Sequence, residues 1–67
     1  MPSQRLGRML KAIREEKGWT QMRLAARAKV TQTYIAKLES GDKKNPSIAV
    51  LQRLAKALGV PVTELLR

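Results

Sequence analysis

Cysteine, histidine and phenylalanine are all absent from this 67-residue chain, aromatic residues are down to one Trp and one Tyr, and five carboxylates face fourteen Lys and Arg. Each shortage excludes something. Without cysteine there are no disulfides and no thiolate metal sites, and a reducing compartment fits. Without histidine, the usual general bases, nucleophiles and metal ligands shrink to Glu15, Glu16, Glu39, Asp42 and Glu64. Glu15 and Glu16 are neighbours, so on a helix they diverge by about 100° and read as solvated surface charges rather than a catalytic pair. The expectation is a binder, not an enzyme, with no metal, no cofactor and no small-molecule ligand. Two rings are too few for a base-stacking platform, and Trp19 reads as packing beside the turn after the first helix. Residues Met1 to Leu10 hold no long apolar run, which predicts neither a signal peptide nor a membrane span and suggests a cytoplasmic protein.

What is present is positive charge and helical periodicity. A formal net charge of +9 draws polyanions, so nucleic acid or an anionic membrane surface is the expected partner class. The length suits one domain, residues 1–67, with a core too small to tolerate poor packing. Glycine and proline divide the chain into five pieces, each with apolar residues at helical spacing, which predicts an all-α fold. The first helix is expected from about Ser3 to Lys17, with Leu6, Met9, Leu10 and Ile13 inward and Arg5, Arg8, Lys11 and Glu15 outward. Thr20 caps the second and Thr31 the third; Gly41 stops the third, whose Tyr34, Ile35 and Leu38 point inward. Only Lys29 and Val30 remain between Ala28 and Thr31, so the second and third helices must cross steeply. Pro46 and Ser47 open a fourth helix with Ile48, Leu51, Leu54, Ala55 and Leu58 on its apolar stripe. Gly59 ends it, and Pro61 to Leu66 reads as one further short turn.

The most restrictive segment is residues 21–40. Leu24, Ala28, Val30, Ile35 and Leu38 would fill the space between two crossed helices and the first, and Ala25 is small where the crossing is closest. Thr20-Gln21, Leu24-Ala25, Val30-Thr31-Gln32 and Ile35, Leu38, Glu39 and Gly41 stand in a joint spacing. Further along come Leu54-Ala55, Leu58-Gly59-Val60 and Glu64-Leu65-Leu66. Together they resemble the phage-repressor and Cro-like helix-turn-helix family, also called the xenobiotic-response-element family, over about Leu6 to Leu66. The resemblance implies a five-helix, lambda-repressor-like domain with the motif at helices two and three. One position departs: Lys29 stands where the family usually has Gly, and a left-handed conformation there would cost about 1 kcal/mol.

The family's function, sequence-specific binding of double-stranded DNA in transcription regulation, is the expectation that follows. On the third helix Gln32, Thr33, Ala36 and Lys37 project opposite the apolar side and form the expected base-reading face. The resemblance places phosphate contacts at Gln21 and in the loop of Lys43, Lys44 and Asn45, with Lys29 either a further phosphate contact or a plain turn lysine. It also implies an ion pair between Arg14 and Glu39, with Arg14 near the DNA backbone. Such domains usually pair on palindromic half-sites about one helical turn apart. A homodimer is therefore expected through Val60, Val62, Leu65 and Leu66, the other reading being that these close the monomer's own core. An antitoxin or protein-bridging module with the same fold is the alternative function.

Overall fold

Three helices begin where a hydroxyl meets an orphan backbone amide, as their sequences predict. Thr20 Oγ1 accepts from the Arg23 amide at 3.0 Å, Thr31 Oγ1 from Tyr34 at 3.0 Å and Ser47 Oγ from Val50 at 3.2 Å. The computed structural model describes residues 2–43 and 45–67, with side chains from residue 5 onward. Its helices are α1 (Pro2–Glu16), α2 (Gln21–Ala28), α3 (Gln32–Ser40), α4 (Ile48–Leu58) and α5 (Val62–Leu65). The bounds of α1 sit one residue earlier than the periodicity suggests at each end, and the other four fall where expected. No strand occurs among the described residues, and no helix among them is long and apolar enough to cross a membrane.

Helix ends are closed by a repeated backbone device. After α1, α2 and α4 the chain turns through a left-handed residue, and the next amide reaches back to the carbonyl five residues earlier. The distances are 3.1 Å for Trp19 N to Arg14 O, 2.9 Å for Val30 N to Ala25 O and 3.0 Å for Val60 N to Ala55 O. At α2 the left-handed residue is Lys29, with φ 61° and ψ 45°, the one non-glycine with positive φ among the described residues. The turn of the motif therefore keeps its geometry and Lys29 bears the strain.

The core gathers residues from every helix: Leu10, Leu24, Ala25, Ala28, Ile35, Leu38, Leu54, Ala55, Leu58 and Leu65. Each fully buried leucine contributes about 1.5–3 kcal/mol through removal from water. Helix α2 packs against α3 and also against α4, α1 packs against α3, and α5 closes onto α1 and α4. One sequence expectation, the inward placement of Ile48, is corrected here, and the stripe of α1 is covered unevenly. Of the α1 stripe only Leu10 is fully enclosed, because Leu6, Met9 and Ile13 face the margin of a core too small to cover them. Ile48 is 72% exposed, since the first turn of α4 projects past the helices that cover Leu54 and Leu58. Gly7 does not interrupt α1 but sits buried within it, where a Cβ would collide with the Leu38 carbonyl oxygen and come within 3.1 Å of that of Glu39. A missing side chain thus lets α1 lie directly on the backbone of the last turn of α3.

Candidate nucleic-acid interface

The exposed face of α3 is oriented by a polar cluster behind it. Arg14 Nε donates to Glu39 Oε2 at 2.7 Å and Nη2 to Oε1 at 3.0 Å, a two-pronged pair with side chains 9% and 4% exposed. The third arginine nitrogen, Nη1, donates to the Trp19 carbonyl, and Gln21 Nε2 donates to Glu39 Oε1 at 3.0 Å. The Glu39 carboxylate on α3 thereby fastens the end of α1 and the start of α2, and Arg14 ties in the turn between them. Among the described residues no buried side-chain nitrogen or oxygen lacks a partner, so the desolvation of this pair is matched by hydrogen bonds. Hydrogen bonding to Glu39 is the main influence raising the Arg14 pKa above its ordinary value, against a smaller lowering by burial, so the guanidinium stays charged.

The ion pair implied by the family resemblance is thus present. All three side-chain nitrogens of Arg14 are turned inward to Glu39 and Trp19, so this residue holds the helices together. Gln21 is half-buried with its amide nitrogen drawn to Glu39, so the sequence reading missed its structural part.

Gln32, Thr33, Ala36 and Lys37 lie together along one shallow depression on the outer side of α3, with Ser40 and Asp42 completing it. The first two and Lys37 are exposed, and Ala36 is half-buried. A second depression adjoins it, lined by Thr31, Thr33, Tyr34, Lys37, Asp42 and Lys43. Lys43 is steadied by Tyr34, its Nζ 5.3 Å from the ring centre, and its amide donates to the Lys37 carbonyl at 3.0 Å. Asn45 is exposed beyond this loop, while Lys44 lies outside the described residues. Asp42, which the sequence reading left among the incidental acids, lines both depressions. Its signal was available only as proximity to Lys43.

Lys29 goes elsewhere. It lines a separate cleft between the end of α2 and the middle of α4, together with Arg27, Ala28, Arg53, Lys56 and Ala57. The turn lysine thus lies apart from the depression along α3. The expected dimer patch divides as well: Leu65 is fully buried in the core, Val60 and Val62 are half-buried against it, and Leu66 is 58% exposed. Leu65 is excluded from any interface, because α5 is too short to bury itself except by driving that leucine inward.

A short, capped pair of crossed helices whose second member presents polar side chains outward defines a helix-turn-helix domain. The sequence model of the helix-turn-helix family matches residues 10–65, and the chain belongs to that family, the DNA-binding transcription regulators of the Cro and repressor type. The immunity repressor protein of Bacillus phage phi105 is 41% identical over 58 residues, covering 87% of this chain and 40% of the phage protein. SinR of Bacillus subtilis, an HTH-type transcriptional regulator, is 36% identical over 61 residues, covering 91% of this chain and 55% of SinR. The chain therefore spans about half the length of these curated relatives or less. Among solved structures, the restriction-modification controller protein C.AhdI from Aeromonas hydrophila superposes with a TM-score of 0.90 at 30% identity, covering 94% of each chain. The biofilm master regulator SinR in complex with DNA superposes with a TM-score of 0.89 at 35% identity, covering 92% of this chain and 98% of that one.

Proposed function

We propose that this domain recognises one sequence of double-stranded DNA by seating α3 in the major groove, and that it represses transcription by occupying that site. The observation that carries the reading is the contiguous polar face of Gln32, Thr33 and Lys37 around the small Ala36, on a helix fixed from behind by Arg14, Glu39 and Gln21. Gln32 suits the paired N6 donor and N7 acceptor of adenine, Lys37 suits guanine O6 or N7, and Thr33 suits a base edge or a thymine methyl. Ala36 allows the helix axis to approach the base edges. Asp42, a carboxylate on the same surface, suits the N4 amine of cytosine and repels misplaced phosphates. Phosphates on either side meet the free amides at the start of α2, the exposed part of Gln21, Lys43, Asn45 and Lys44.

One α3 spans only a few base pairs, so a homodimer on a palindromic operator, with half-sites about one helical turn apart, completes the reading. Its seat is Leu66 with the exposed parts of Val60 and Val62. The activity is binding alone, without a catalytic step, in a prokaryotic cytoplasm.

Selection of bound duplexes from a random pool at about 150 mM salt tests the reading, because nonspecific phosphate binding is weak there. A palindromic motif is expected. Gln32→Ala should relax preference at one base position per half-site, at a cost of about 1–3 kcal/mol against the preferred base. Recovery of no motif, or a uniform loss across all sequences in the variant, would overturn base reading by this helix.

A further inference from the structure

The positive charge of this domain is not concentrated where the bases are read. On the outer side of α3, Lys37 and Lys43 share the surface with Asp42. On the α4 side of α2, by contrast, Arg27, Lys29, Arg53 and Lys56 line one cleft whose only other walls are Ala28 and Ala57. None of these four cations makes an ion pair among the described residues; the carboxylates that do are Glu15, Glu39 and Glu64, paired with Arg14 and Arg67. The cationic surface continues past Arg27 to the Trp19 ring, whose centre lies 5.3 Å from the Arg27 guanidinium, 5.4 Å from that of Arg23 and 5.6 Å from Lys17 Nζ. Arg53 has one donor committed, Nε to the Ala28 carbonyl at 3.1 Å, which fixes its guanidinium at the cleft wall.

Gathering like charges without counter-charges raises the free energy of the unbound domain, and a polyanion relieves it. The chemistry of the walls selects which polyanion. A protein partner would need an apolar centre with few lysines, whereas this cleft offers two alanine methyl groups, and Trp19 is covered by its own cations. A phosphodiester backbone needs only spaced cations at an accessible surface, which is what the cleft supplies. The cleft and the depression along α3 share no residue, and α2 lies between α3 and α4.

We infer that the cleft between α2 and α4 is a second DNA-backbone site, which grips another duplex while α3 holds the first. The domain then joins two DNA segments without reading the sequence of the second.

The test is a capture assay with the full chain. An immobilised duplex is mixed with a second, fluorescent duplex of unrelated sequence, and retention of the second is measured as salt rises. The double variant Lys29→Gln/Lys56→Gln spares Arg53 and the Trp19 surround, and circular dichroism verifies its fold. Wild-type chain should retain the labelled duplex, and the variant should lower retention at least tenfold while keeping its affinity for a single duplex. The slope of log affinity for the second duplex against log salt should fall by about 2, one counterion per lysine removed. Unchanged capture in the variant overturns the proposal. So does an equal loss of affinity for one lengthened duplex, which would give the cleft to the flank of the same DNA. Displacement of the second duplex by poly-glutamate as readily as by DNA would assign the cleft to an acidic protein segment and also overturn it. A Gln32→Ala/Lys37→Ala variant that loses the selected motif yet keeps the cleft-dependent capture separates failure of base reading from failure of this site.

Discussion

The two flanks of α2 use arginine in opposite ways. Toward α3, Arg14 is enclosed and every nitrogen of its head has an oxygen partner, so its charge acts over one hydrogen-bond length and fixes a helix. Toward α4, Arg27, Lys29 and Lys56 have no carboxylate, so their charge acts over the Debye length, about 8–10 Å at moderate salt. Burial and a counter-charge turn a cation into a joint, and their absence leaves a field. The fold's precision therefore resides on one flank and its long-range attraction on the other.

Removing the joint should have the largest effect. Glu39→Ala leaves the Arg14 guanidinium buried and uncompensated, at an expected cost of about 3–5 kcal/mol. Since a domain of this size has only about 3–10 kcal/mol in total, urea or thermal unfolding should find the variant near its threshold. A loss below about 1 kcal/mol would mean that apolar packing alone orients α3. The Arg14→Met/Glu39→Leu double variant should recover most of the stability, since neither charge then needs solvation. The pair's contribution has a defined sign with pH. Because the folded-state pKa of Arg14 is raised, its stabilisation is complete below the ordinary arginine value and is lost only as pH climbs through the still higher folded value. Titration of unfolding from neutral pH upward should find no loss from the Arg14 guanidinium until the arginine range is reached.

Next comes the contact between α1 and the end of α3. Gly7→Ala forces a methyl group against two carbonyl oxygens and should cost about 1–3 kcal/mol, measured by the same unfolding. Because Leu38 and Glu39 are displaced together, operator affinity should fall with stability; if stability fell alone, α3 would be positioned by Glu39 without α1. The smallest effect is expected at the turn. Lys29→Gly removes left-handed strain at a residue facing the α4 flank and should stabilise by up to about 1 kcal/mol, less the added freedom of glycine in the unfolded chain. A net loss of stability would show that Lys29 has a favourable contact that outweighs its strain.

Much of this was legible because it is local. Thr20, Thr31 and Ser47 announce their caps within three residues, and the apolar spacing of Leu24, Ala28, Ile35 and Leu38 is periodic along each helix. The grouping of Gln32, Thr33, Ala36 and Lys37 on one outward face followed from angular projection of α3 alone. What sequence missed depends on the third dimension. Nothing near Gly7 says that α3's backbone will arrive there, and nothing near Ile48 or Leu65 says which end of an apolar stripe the other helices will cover. Arg14, Arg27 and Arg53 are the same letter; only packing separates the one that is enclosed from the two that share a cleft.

The closed helix ends have a consequence in time as well as in structure. Each of α2, α3 and α4 carries its own start in a hydroxyl and its own stop in a left-handed residue, so the length of every segment is settled by neighbours within about six positions. The unfolded chain does not have to search for helix boundaries, only for the mutual placement of five short rods. Helical domains dominated by such local information reach their native arrangement in microseconds to milliseconds. Folding of this domain would then not be the step that delays its binding.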